Sequence, residues 1–167
     1  MVGVSRRRAL FGLTASVGAI ALGGCQVAPG TGRDEFNLLS PDEESKMGRD
    51  SHPQIIAQFG GAIEDPVLSA YVAGIGQTLA RVTETPAADF RFTVLDSDIV
   101  NAMALPGGYI YVTRGLLSLC GNEAELAGVV GHEIGHVLGR HSAQRYSRTM
   151  AANVLTTVLG IAIGQSA

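Results

Sequence analysis

The chain has 167 residues, enough for one domain with appendages. With 46% hydrophobic and 16% charged residues it is too apolar to be disordered, and its apolar runs are too interrupted for a polytopic membrane protein. A net charge of −3 offers no basic field for nucleic acid, and two cysteines exclude a disulfide-rich scaffold.

Arg6, Arg7 and Arg8 precede an uncharged apolar run from Ala9 to Leu22. At about 14 residues this run is shorter than the roughly 20 that a membrane span needs. A basic start, a short apolar core and small residues after it have the layout of a secretory signal, read here over residues 1–24. Ser5 to Leu10 resembles a twin-arginine export signal, and Leu22-Gly23-Gly24-Cys25 resembles a bacterial lipobox. That resemblance implies cleavage after Gly24 and lipid on Cys25, which would hold the domain at a membrane surface. Residues 25–38, with Pro29, Gly30 and Gly32, read as a flexible tether. Cys120 then stands alone in the mature chain among apolar neighbours and reads as a core residue.

Ser40-Pro41-Asp42-Glu43 combines a cap, a first-turn proline and a capping-box glutamate, so a helix starts there. It is expected to run to about Asp50, because Pro53 disfavours a helical residue before it. Ile55, Ile56 and Phe59 continue an apolar face to Gly60-Gly61. Asp65-Pro66 opens a second helix, on which Leu68, Val72, Ile75 and Leu79 form one apolar side. Phe90, Phe92 and Val94 then alternate with Arg91 and Thr93, the pattern of a half-buried strand. Ile99 to Ala104 is a second expected strand, Pro106-Gly107-Gly108 a turn, and Tyr109 to Thr113 a third strand that pairs with the second as a hairpin. Arg114 to Leu119 is expected to be a short helix ending at Cys120-Gly121.

Asn122-Glu123-Ala124-Glu125 is another capping box, and the apolar positions from Leu126 to Leu138 continue that helix. It contains His132-Glu133-Ile134-Gly135-His136. At about 100° per residue the two histidines lie about 40° apart on one face, one turn from each other. Their nitrogens can reach one zinc ion at about 2.0–2.1 Å, and Glu133 projects from the same turn to one side, placed to accept a proton from water. Gly135 between them permits close approach of the metal or another backbone, or helix packing.

A catalytic zinc takes three protein ligands. Where a third histidine follows the second by six positions after a glycine turn, Gly139 matches the glycine but Ser142 occupies the ligand position. His141 is one position early and would point about 140° from His136 if the helix continued. No Asp or Glu follows Glu133. Glu125, seven residues before His132, shares its face; it either steadies a histidine ligand or caps the helix. His52 is isolated and reads as a surface residue.

The chain resembles the CAAX prenyl protease/HtpX-like zinc metallopeptidases, in their periplasmic BepA- and LoiP-like lipoprotein branch. The resemblance runs from about Leu39 to Arg148. It is carried by Met47-Gly48-Arg49, Pro53-Gln54-Ile55, Tyr71-Val72, Gly74-Ile75-Gly76, the run Asn101 to Thr113, Asn122 to Ala127, His132 to His136 and Arg140-His141-Ser142. It implies an α+β, gluzincin-like fold, with helices on a small mixed sheet and a metallopeptidase domain over residues 39–148. It implies one Zn2+ on His132 and His136, Glu133 as catalytic base, and a third ligand that is a glutamate further downstream than this chain extends. It implies that Asn101, Ala102, Met103 and Ala104 lie beside the cleft and pair with extended substrate. The implied activity is zinc-dependent endopeptidase action on misfolded or misassembled proteins of the bacterial cell envelope, from the periplasmic side of a membrane. The alternative is a chaperone-like, client-binding lipoprotein whose missing third ligand weakens or abolishes cleavage. Residues 149–167 are apolar and read as a core or interfacial helix whose packing partner is missing, as in a truncated product.

Overall fold

The computed structural model describes residues 25–27, 34–83 and 90–164. The export signal read at 1–24 lies outside them, as does 28–33 of the tether. In chain order the elements are β1 (Cys25–Val27), β2 (Asp34–Phe36), α1 (Pro41–Gln58), α2 (Pro66–Ala80), β3 (Arg91–Leu95), β4 (Ala102–Leu105), β5 (Tyr109–Thr113), α3 (Arg114–Leu117), α4 (Glu123–Leu138) and α5 (His141–Gly164). The fold is α+β, as expected. β1 and β2 pair antiparallel, with Cys25 opposite Phe36. The two ends of the stretch read as a flexible tether thus form a short ladder, because extended backbones that meet satisfy each other's amides whatever their composition.

The main sheet has the order β3-β5-β4, with β3 parallel and β4 antiparallel to the central β5. Every residue of β5 is buried, as a central strand covered on both faces requires. Side chains alternate across the sheet. Phe92, Val94, Ile110, Val112 and Ala104 meet Val72 and Ala80 of α2 and Leu126, Val130 and Ile134 of α4 on one face. On the other face Leu95, Tyr109, Tyr111, Met103 and Leu105 meet Ile55, Ile56 and Phe59 of α1. Two glycines let α1 sit directly on the β4–β5 turn. A Cβ on Gly48 would lie 1.9 Å from the Pro106 carbonyl oxygen, and one on Gly107, at φ 77°, would lie 2.8 Å from the Ser45 Cα.

Three boundaries differ from the sequence reading. α1 does not stop near Asp50 but runs through Pro53 to Gln58. Pro53 and Arg49 are both exposed, so the carbonyl that Pro53 leaves without a partner faces water, while Ile55, Ile56 and Phe59 gain burial by staying helical. The second strand begins at Ala102 rather than Ile99, and Ile99 and Val100 are exposed. The apolar tail does not begin a separate element. One helix runs from His141 to Gly164, with Met150, Val154 and Leu155 exposed. No helix among the described residues is long and apolar enough to cross a membrane.

His52 is not a free surface residue either. Because α1 continues, the imidazole lies against Tyr109, with ring centroids 4.9 Å apart, and its Nδ1 is 2.6 Å from the Tyr111 hydroxyl. Burial, with the neighbouring Tyr109 in second place, pushes the Tyr111 phenol up to about 12, so it stays neutral across the working pH range. Cys120 is partly buried and packs against the main core, in keeping with its apolar neighbours.

Candidate metal centre

α4 starts where the sequence places it. Asn122 accepts a hydrogen bond from the Glu125 N–H at 3.0 Å. Glu125 in turn accepts from the Gly121 N–H at 2.8 Å and from the Asn122 side-chain amide at 2.9 Å. Both of its oxygens are thus engaged at the helix start, about 10 Å along the axis from His132.

Leu126, Val130 and Ile134 anchor one side of α4 in the core, which leaves the one-turn pair of histidines on the side of the helix away from that core. The rings of His132 and His136 have centroids 4.5 Å apart and meet edge to face at 77°. Ligand atoms of His132, Glu133 and His136 all lie within 4.8 Å of one another. Two imidazole nitrogens one helical turn apart, with a carboxylate beside them, suit zinc and its bound water, so the residues present fit the ion. His132 is exposed and His136 half-buried, which leaves room for ion and substrate. Glu133 is only 7% exposed, yet no described residue hydrogen-bonds or ion-pairs with its carboxylate. Since no fully buried described side-chain oxygen lacks a partner, the Glu133 oxygens still reach solvent.

β4, which contains Ala102 to Ala104, packs beside this helix. β4 is the edge strand of the sheet. The Asn101 carbonyl accepts from the Thr113 N–H at 3.0 Å. Successive carbonyls in a strand point opposite ways, so those of Ala102 and Ala104 point out from the open edge. The Ser142 hydroxyl reaches the Ala104 carbonyl at 3.4 Å, which agrees with that direction. Ala104 and His136 line one small cavity together with Arg140 and Ser142. At the opposite edge, β3 is partly covered by the segment at Ala62 and Ile63.

Two features of the site escape a reading by helical period. α4 ends at Gly139, and Arg140 takes a left-handed φ of 50°. The chain therefore bends there, and His141 does not point away from His136. Their rings have centroids 4.9 Å apart, and the two Nδ1 atoms are 2.6 Å apart. The helix-stopping Gly139 was the available signal, since it invalidates an angle measured on a continuing helix. The second feature is what holds Arg140. Its Nε donates to Glu44 at 2.7 Å and a terminal nitrogen to the Leu39 carbonyl at 2.8 Å. The Asn37 side-chain amide donates to the same Glu44 carboxylate at 3.1 Å, and the Ser147 hydroxyl donates to the Asn37 side-chain Oδ1 at 3.1 Å. The Arg140 and Glu44 side chains are 11% and 10% exposed.

A histidine–glutamate–histidine group on a helix that packs against a small mixed sheet with an open edge strand defines a gluzincin-like metallopeptidase fold. The model of Peptidase family M48 matches residues 66–167. Over 132 residues the chain is 28% identical to the mitochondrial metalloendopeptidase OMA1 of Schizosaccharomyces pombe, covering 78% of this chain and 39% of that one. It is 32% identical over 130 residues to the beta-barrel assembly-enhancing protease of Yersinia pestis and 31% identical over 130 residues to that of Escherichia coli K12. These matches cover 78% of this chain and 26% of each relative, so the chain spans well under half the length of the relatives it matches. The chain belongs to peptidase family M48.

Proposed function

We propose that this chain carries the zinc-binding helix of a metalloendopeptidase that cleaves misfolded or misassembled proteins of a bacterial cell envelope. The observation that carries the reading is the convergence of His132, Glu133 and His136 within 4.8 Å beside an open strand edge. His132 and His136 would hold zinc. When bound, zinc supplies a Lewis acid that polarises a peptide carbonyl and acidifies water. Glu133 accepts the proton of the attacking water and delivers it to the departing amine. The outward amides of Ala102 and Ala104 pair with an extended substrate through main-chain hydrogen bonds, which recognise a chain lacking structure with little regard for its sequence. Envelope clients are supported by the name of the bacterial relatives, beta-barrel assembly-enhancing protease.

The purified chain is expected to bind one zinc per molecule by elemental analysis, and His132→Ala or His136→Ala to bind none. Casein cleavage is expected to stop on chelation and return with zinc. Unchanged zinc content in either variant contradicts the ligand assignment, and casein binding without cleavage favours the client-binding reading.

Lipid on Cys25 would keep this activity at the membrane surface. After export, the native protein is expected in the membrane fraction and Cys25→Ser in the soluble one. Retention of the variant in the membrane overturns the anchor.

A further inference from the structure

The contact between His136 and His141 has a consequence for how the site accepts its ion. The two Nδ1 atoms are 2.6 Å apart, a hydrogen-bond distance, so one nitrogen carries the proton and the other accepts it. A neutral imidazole carries one proton. If His141 donates, His136 holds its own proton on Nε2 and has no lone pair there for a metal. If His136 donates from Nδ1, its Nε2 is bare and can ligate. Two nitrogens at this separation are also too close to share a tetrahedral ion, which keeps ligands about 3.3 Å apart when each lies about 2.0–2.1 Å away. The contact is therefore a hydrogen bond and not half of a coordination sphere.

Three features build it. Gly139 provides the space: a Cβ there would lie 2.6 Å from Nε2 of His141, so the ring occupies the volume that any other residue would fill. Arg140 provides the direction, through a left-handed backbone that non-glycine residues rarely adopt. Glu44 and the Leu39 carbonyl hold Arg140 in that conformation.

We propose that His141 is a positioning residue, which accepts the Nδ1–H of His136 at its own Nδ1 and so holds His136 in the tautomer and ring orientation that present Nε2 to zinc. This rests on the zinc-site reading above and extends it to a residue outside the ligand set. Metal-ligating histidines generally donate their second nitrogen to a fixed acceptor, and losing that acceptor lowers metal affinity by about 10–100-fold. A carboxylate or backbone carbonyl is the usual acceptor, and here a neutral imidazole takes that place.

The test is zinc affinity of the full chain, measured by competition with a chromophoric chelator, together with the visible spectrum of the cobalt(II) form. His141→Ala is expected to bind zinc about 10–100-fold more weakly than the native chain. His141→Asn should recover most of that loss, because the amide oxygen of Asn can occupy the place of the lost Nδ1 and accept the same proton. At saturating cobalt the native chain and His141→Asn should share one spectrum, since the ligand set is unchanged. His141 is exposed, so both variants are expected to keep the native melting temperature. Native affinity in His141→Ala overturns the proposal. So does failure of His141→Asn to recover affinity with an altered cobalt spectrum, which would make His141 a ligand. A native chain that takes up no zinc overturns the parent reading as well, and only that result does.

Discussion

Glu133→Gln is expected to reduce casein hydrolysis by about 10²–10⁴-fold, the usual contribution of a positioned general base. The substitution keeps the shape of the side chain and removes its ability to take a proton. His132 and His136 are untouched, so zinc content should remain at one per chain. The carboxylate has no hydrogen-bond or ion-pair partner among the described residues, so the amide breaks no existing contact and the melting temperature should hold. Hydrolysis, zinc content and thermal unfolding are measured on the same preparation. Native hydrolysis in the variant removes Glu133 from the chemistry. Loss of zinc along with activity makes it part of the metal's coordination instead.

Glu44→Ala is expected to cost about 3–5 kcal/mol of stability, because it removes the carboxylate that pairs with an Arg140 guanidinium only 11% exposed. At roughly 2–4 °C per kcal/mol for a domain of this size, the melting temperature should fall by about 10 °C. The side chain also accepts from Asn37, so the loss reaches the chain preceding α1. Replacing both partners, as Glu44→Leu with Arg140→Met, should recover most of the loss, since an apolar pair of similar volume carries no buried charge. Thermal melts of the two single variants and the double variant give the coupling between the sites. Additive single losses with no recovery would show that the pair does not act as a unit. Zinc affinity read on the same variants shows whether the bend at Arg140 needs Glu44.

Much of the site is legible from residues a few positions apart. Asn122 and Glu125 mark the start of α4, and the apolar positions on α4 set which side faces the sheet. That leaves His132 and His136 one turn apart on the free side, whatever the rest of the chain does. The alternation of Phe90, Phe92 and Val94 and the turn at Pro106 to Gly108 place β3 and the β4–β5 hairpin in the same way. Pro53 shows where local rules lose: its helix-breaking tendency is outweighed by the burial of Ile55, Ile56 and Phe59 beneath the sheet.

Helical period alone brought His132, Glu133 and His136 together, because every angle involved lies within one rigid element. Only the tertiary structure decided where His52, Glu44 and His141 belong. Glu44 meets Arg140 across 96 positions of sequence, and that meeting supports the left-handed turn that folds His141 onto His136. A bend of this kind depends on a partner supplied by another element, and no pattern of neighbouring residues contains it.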